Sequence, residues 1–169
     1  MNPAMKWLER SLFVLGILLA LWCAKVIYVQ YRTALLPIPE QYVSVPSTSG
    51  TPATVAPGSV LGKLVSPGPG LSATVLEGSD DATLARGAGH IEDTALPGEP
   101  GNVGIAGHRD TIFRALRRTK VGDEYDLETP RGLFRYRVTR TFIVKPEDVD
   151  VLDPTARPTL TLVTCWPFE

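Results

Sequence analysis

The sequence predicts a small, mainly β domain, a barrel or a sandwich, that follows a membrane-spanning helix. The helix is indicated by Ser11 to Tyr31, an apolar run with one charge, Lys25. The β domain is indicated by the chain from about Val60 onward, where short apolar stretches alternate with turn residues. The 15 glycines and 15 prolines among 169 residues are typical of short strands joined by turns.

The apolar run of residues 11–31 has the length of a membrane span. At about 1.5 Å per residue it reaches roughly 30 Å, the thickness of a bilayer core. A cleaved signal peptide and a lipoprotein signal both need a small residue where this chain has Trp22. A buried core helix is the remaining alternative, but so long an apolar run leaves no polar face for water. We therefore expect an uncleaved anchor.

The flanks of this span predict its orientation and a linker. Lys6 and Arg10, against Glu9, favour a cytoplasmic segment of residues 1–10 and an extracytoplasmic domain. Residues 32–59 are rich in proline, serine and threonine and nearly free of charge, so we expect a linker there. The folded domain should then occupy residues 60–169.

Within that domain, six stretches are predicted to be strands, with two short helices between them. The strands are "VLGKLV", "LSATVLEG", "NVGIAGH", "DEYDLET", "LFRYRVTRTFIVK" and "TLTLVTC". The first helix, in "SDDATLARG", should be capped by Ser79 or Asp80 and end at Gly87, and the second, in "DTIFRALRR", should be capped by Asp110.

The overall charge argues against two classes of partner. The chain has 17 Lys and Arg against 18 Asp and Glu, a net charge of −1. Neither a nucleic-acid partner nor a polybasic membrane patch follows from that balance.

The chain has two cysteines, Cys23 in the predicted span and Cys165 in the domain, which cannot pair if the span is real. Cys165 is either a small buried apolar residue or a nucleophile. His108 lies 57 residues earlier and, like Cys165, ends a strand-like run. Two neighbouring strand ends can bring a thiol and an imidazole together, and an imidazolium both lowers a thiol pKa and acts as a general acid.

Other candidate sites have simpler interpretations. His90 could line a groove, but a hydrogen-bonded loop histidine is the favoured interpretation. Two histidines and one outer cysteine do not make a tetrahedral metal site. The acidic stretch from Glu92 to Asn102 could bind calcium, but carboxylates in a turn-rich segment are more often solvated. We therefore predict no cofactor.

Two long segments resemble the sortase family, with class D as the most similar class. They are "TALPGEPGNVGIAGHRDTIFRALRRTKVGDEYDLETP" and "YRVTRTFIVKPEDVDVLDPTARPTLTLVTCWPF". The resemblance implies a closed β-barrel and a membrane-anchored cysteine transpeptidase at the cell surface. It assigns the role of catalytic histidine to His108 and the role of nucleophile to Cys165. The implied substrates are a surface protein with an LPXTG-like sorting signal and an amine acceptor, such as a cell-wall precursor or a pilin lysine.

The resemblance also implies a functional arginine on a strand after the cysteine. This chain reads "CWPFE" after "TLTLVT" and stops, so the arginine and the last barrel strand are expected to be missing. Arg109 and Arg157 do not match that motif. The alternative function is therefore an inactive remnant or a fragment that acts at most as a peptide-binding module.

Overall fold

The computed structural model describes residues 3–42, 44–45 and 54–168. Its first element is a 32-residue helix, α1 (Pro3–Ala34). An 18-residue window of this helix has a mean hydropathy of 2.4, and none of it is buried against protein. Only the carboxyl end meets the domain, where the Thr33 carbonyl accepts a hydrogen bond from Thr74 Oγ1 over 3.1 Å. The apolar side chains of α1 are therefore available to a bilayer rather than packed in a core.

The remaining described chain forms nine strands and three short helices. The strands are β1 (Ser44–Val45), β2 (Thr54–Val55), β3 (Val60–Ser66), β4 (Leu71–Glu77), β5 (Ala88–His90), β6 (Asn102–Ala106), β7 (Glu124–Thr129), β8 (Gly132–Arg137) and β9 (Thr159–Val163). The helices are α2 (Asp81–Leu84) and the 3-10 helices Arg114–Arg118 and Val149–Leu152.

Seven of these strands form one sheet in the order β8-β7-β3-β4-β5-β6-β9. The sheet curls into a nearly closed barrel, with β8 and β9 as its edge strands. The β4–β5 and β6–β9 pairs are parallel and the other pairs are antiparallel. The predicted fold class, a mainly β barrel with short helices after an apolar helix, is confirmed.

Apolar side chains from most strands fill the barrel. Leu61, Leu64, Val75, Ile105 and Leu127 are all fully buried. At about 25 cal/mol per Å² of apolar surface removed from water, burial of such side chains is the main stabilising contribution of the core.

In β8 the side chains alternate between the core and solvent, but this strand is shorter than predicted. Phe134 and Tyr136 pack against the core, whereas Arg135 and Arg137 point to solvent. The prediction that this strand continues to residue 145 is wrong. Arg137 pairs with Glu124, the first residue of β7, and Val138 then exchanges backbone hydrogen bonds with Asp123 and Gly122 at the point where the two segments separate.

Two helix caps were predicted, and one is correct. Asp80 caps α2 by accepting hydrogen bonds from the amides of Ala82 and Thr83. Asp110 does not cap a helix, because its carboxylate is bound by the neighbouring Arg109 and the 3-10 helix begins only at Arg114.

The predicted linker, residues 32–59, stays a prediction. Residues 43 and 46–53 lie outside the described residues, as do residues 1–2 of the predicted cytoplasmic segment and residue 169 of the domain. The described parts of the linker make contacts with the barrel. Tyr42 packs against the core, and Val55 is a member of it.

Candidate active site

The parallel β6–β9 pair determines the geometry of the candidate site. In this pair Asn102 lies opposite Thr159, and the register continues unbroken to Ala106 opposite Val163. Each residue of β6 is thus matched with the residue 57 positions later. Thr161 strengthens the pair through its hydroxyl, which donates to Asn102 Oδ1 over 2.7 Å.

The same register continues past the strand ends. The Gly107 amide donates to the Val163 carbonyl over 3.1 Å. The Thr164 hydroxyl donates to the Gly107 carbonyl over 2.8 Å, again with a separation of 57 residues. The next residues along the two segments are His108 and Cys165, which have the same separation of 57 residues.

This register brings the two predicted site residues to one end of two adjacent strands. Adjacent strands lie about 4.8 Å apart, and matched residues of a parallel pair point to the same side of the sheet. His108 and Cys165 are both exposed. Both side chains are therefore open to a substrate at this end of the strands.

Phe113, whose ring lies in the barrel core, holds the loop that carries His108. The Phe113 amide donates to the His108 carbonyl over 2.9 Å, and the Phe113 ring is fully buried. Gly107 lies directly over this ring, since a Cβ at position 107 would be 2.8 Å from two of the ring carbons. A glycine here lets the backbone lie close to the ring and so holds the histidine at the rim of the barrel.

Arg109 links the histidine loop to the segment after the cysteine. Its Nη1 donates to the Pro167 carbonyl over 2.7 Å, while Nε and Nη2 donate to the two carboxylate oxygens of Asp110. The hydrogen bond from Arg109 lowers the pKa of the Asp110 carboxyl. The pair therefore remains charged over the neutral pH range.

Asn102 supports the site from the opposite end of β6. It is buried, and its Nδ2 donates to the carbonyls of Val151 and Asp153 over 3.0 and 3.4 Å. Because its Oδ1 accepts from Thr161, one amide joins β6, β9 and the second 3-10 helix.

The second histidine has a different environment. His90 lies on β5 and is buried, with Nδ1 2.9 Å from Glu77 Oε2 and Nε2 3.0 Å from the Ala95 carbonyl. Burial lowers the pKa of His90, but the hydrogen bond and the charge of Glu77 outweigh it, so the pKa is raised. The prediction of a hydrogen-bonded histidine is correct, whereas its placement in a loop is wrong.

Three residues that shape this site, Arg109, Gly107 and Asn102, were not predicted from the sequence to do so. The adjacent "HRD" gave a signal for Arg109, but its partner is a backbone carbonyl 58 residues away, which no pattern reveals. Among the described residues no group of three or more His, Cys, Asp or Glu side chains could hold a metal ion. Cys23 lies within α1, away from the barrel core.

Comparison with known proteins gives a family match over the barrel. Residues 64–169 match the Sortase domain model. Sortase D of Bacillus subtilis is 35% identical over 96 residues, which cover 56% of this chain and 48% of that protein. Sortase SrtE1 of Streptomyces coelicolor is 32% identical over 136 residues, covering 69% of this chain and 39% of that protein. The chain thus spans about half or less of the length of these curated relatives.

Solved structures agree with this match. A Clostridium perfringens Sortase D5 transpeptidase has a TM-score of 0.64 and 34% identity, over 68% of this chain and 74% of that one. Sortase E from Streptomyces avermitilis has a TM-score of 0.59 and 34% identity, over 66% of this chain and 83% of that one. The barrel described above is the fold that these proteins share.

Proposed function

Because the chain belongs to the sortase family, we propose that it is a membrane-anchored cysteine transpeptidase with Cys165 as nucleophile and His108 as general acid. The observation that supports this proposal is the register of β6 and β9, which keeps a separation of 57 residues up to the Thr164–Gly107 hydrogen bond, directly before His108 and Cys165. The proposed substrate is a surface protein with an LPXTG-like sorting signal. The proposed acceptor is an amine of a cell-wall precursor or a pilin lysine.

The proposed reaction has two transfers. The Cys165 thiolate attacks the carbonyl carbon of the scissile peptide bond, and the C–N bond breaks as the histidinium of His108 gives its proton to the leaving amine. The acyl group is then held as a thioester. An incoming amine gives a proton to the neutral imidazole as it attacks this thioester; the new amide forms, the C–S bond breaks, and the Cys165 thiolate and the His108 histidinium are restored. No cofactor enters either step.

A labelled LPXTG peptide and an amine acceptor test the chemistry. We expect Cys165→Ala to abolish cleavage and transfer, because the thioester cannot form. His108→Ala should lower the rate by about 10²–10⁴, the usual contribution of a positioned acid and base. Cys23→Ser is the matched control, since it removes the other cysteine from within α1 and should leave the rate unchanged. Cleavage that persists in Cys165→Ala would rule out the mechanism.

The proposed anchor is α1, with the barrel outside the cytoplasm. Support comes from the unburied apolar window of this helix and from the Lys6 and Arg10 charges that precede it. An alkaline wash should leave the full chain in the membrane fraction. A protease added to intact cells should remove the barrel and leave α1 protected. Full-length protein in the washed supernatant, or a barrel that the protease cannot reach, would contradict this topology.

A further inference from the structure

A cavity of about 390 Å³ lies between the end of α1 and the barrel. On one side it is lined by Gln30, which lies one turn before the last residue of the helix. On the other side it is lined by Arg114, Arg117 and Arg118 of the first 3-10 helix. The cavity thus joins the helix end to three cations of the domain.

Because Gln30 lines the same cavity as these arginines, its position along α1 indicates how far they lie from the bilayer surface. Gln30 lies next to Tyr31, the last residue of the apolar run, so in the anchored protein it is level with the bilayer surface. Side chains that line the same cavity lie at the level of the lipid headgroups. This step rests on the anchor proposed above.

The cations in and just after the first 3-10 helix are largely unpaired. The segment from Arg114 to Val121 holds four cations and no carboxylate. In the part of the chain that the structure describes, Arg114, Arg117 and Lys120 make no ion pair, although Arg114 lies close enough to Asp110 to lower its pKa. Arg118 is held by the Pro69 carbonyl. Asp123 receives the backbone amide of Lys120 and is the next carboxylate along the chain.

We propose that Arg114, Arg117 and Lys120 form a docking surface for the anionic headgroups of the membrane that holds α1. The chain as a whole carries a net charge of −1, so this local excess is not visible in its composition. Val121, which follows Lys120 in the chain and is 65% exposed, adds an apolar side chain next to these cations in sequence. Docking would hold the barrel, and with it the loop that follows His108, in one orientation to the bilayer.

Headgroup quenching of a fluorophore tests this docking in the full chain. A label at Val121→Cys, in a chain with Cys23→Ser and Cys165→Ser, is reconstituted into vesicles of phosphatidylcholine with or without phosphatidylglycerol. A quencher on the lipid headgroups then reports how often the surface touches the bilayer. We expect strong quenching in the anionic vesicles and weak quenching in the neutral ones. Added salt should weaken it, since the Debye length is about 10 Å at 0.1 M.

Charge variants decide whether these arginines are responsible. Each cation at an anionic surface contributes about fivefold to binding, so Arg114→Gln with Arg117→Gln should lower the ratio of docked to undocked protein about 25-fold. The matched control, Arg140→Gln with Arg157→Gln, removes the same charge elsewhere and should leave that ratio unchanged. Equal quenching in both kinds of vesicle, or equal loss in both double variants, would overturn the proposal.

Two further measurements distinguish membrane docking from a site for free phosphate and from failure of the anchor. Inorganic phosphate at matched ionic strength should not reverse docking; if it does, the cavity is a site for the free anion and the membrane proposal fails. Flotation with neutral vesicles after an alkaline wash reports α1 alone. Loss of flotation would refute the anchor, whereas retained flotation without charge-dependent quenching would refute only the docking surface.

Discussion

Arg109 Nη1 donates a hydrogen bond to the Pro167 carbonyl over 2.7 Å, so the residue after His108 holds the segment after Cys165. The other two guanidinium nitrogens, Nε and Nη2, donate to the Asp110 carboxylate, which fixes the orientation of the guanidinium plane. The contacts that follow from the strand register end at the Thr164–Gly107 hydrogen bond, just before the two site residues. The Arg109–Pro167 hydrogen bond joins the same two segments just after those residues.

Replacing Arg109 should therefore disturb the position of Cys165 more than the fold. A hydrogen bond from a charged donor contributes about 1.5–3 kcal/mol, and this one is partly exposed, so we expect Arg109→Met to slow peptide cleavage by about tenfold. Arg109→Lys keeps the charge but loses the fork that binds Asp110 and Pro167 together, so it should recover only part of the rate. The measurement is kcat/KM for the labelled peptide across the neutral pH range.

Arg157→Met is the matched control for Arg109, because Arg157 is exposed and its side chain makes no hydrogen bond or ion pair among the described residues. It should leave both the cleavage rate and the melting temperature unchanged. A rate for Arg109→Met equal to that of the unmodified chain would show that the Pro167 contact does not position the nucleophile.

Gly107 should not tolerate a side chain, because a Cβ there would lie 2.8 Å from the Phe113 ring. We expect Gly107→Ala to destabilise the fold by about 1–3 kcal/mol, the usual effect of overpacking, and to shift the His108 loop. Phe113→Leu makes room at the same place. The double variant should therefore be more stable than the sum of the two single effects predicts, which thermal unfolding of all three would measure. Strictly additive effects would contradict the contact.

The sequence predicted those features of the fold that depend on local patterns. The alternation of Phe134 and Tyr136 with Arg135 and Arg137 identified the start of β8, turn residues separated β3 from β4, and the Asp80 cap followed from its position before an acidic turn. The strand β5 was missed because Ala88–His90 is too short to show a period. The end of β8 was missed because it depends on where β7 begins.

The candidate site was predictable to a similar degree. Cys165 and His108 stood out as chemically capable residues at strand ends, and each follows the end of one strand of the parallel β6–β9 pair. The Arg109–Pro167 contact and the Asn102 network could not be predicted, since each joins segments more than 45 residues apart through backbone carbonyls. The proposed docking surface of Arg114, Arg117 and Lys120 was not predicted from the composition, because the net charge is summed over the whole chain.

Asn102 should be the most sensitive polar residue at the base of the site. Asn102→Ala leaves the Val151 carbonyl and the Thr161 hydroxyl without their partner in a buried position, so we expect a loss of about 2–4 kcal/mol. Thr161→Val removes only one of these bonds and should lose about 1 kcal/mol. Hydrogen exchange should show faster exchange over Thr159–Val163 in Asn102→Ala. Equal protection of this strand in both variants would argue against a joining role.

The Glu77–His90 pair predicts how stability depends on pH. The raised pKa of His90 means that the folded chain holds this proton more tightly than the unfolded chain, whose histidine has a pKa of about 6.5. The stabilisation is therefore complete below that value. It should be lost as the pH rises through the pKa of His90 in the folded chain. The melting temperature of the full chain in detergent, measured from about pH 6 upward, should fall accordingly.

Glu77→Gln tests the cause of this pH dependence. The amide keeps the size of the carboxylate but removes its charge, so burial of His90 then dominates and its pKa falls. The decline in melting temperature with rising pH should flatten or change sign. Glu92→Gln is the matched control, because Glu92 raises the pKa of His90 less than Glu77 and the Ala95 carbonyl do and remains ionised above about pH 6. The decline should survive in that variant. If Glu77→Gln keeps the full decline while Glu92→Gln loses it, then the buried pair is not its source.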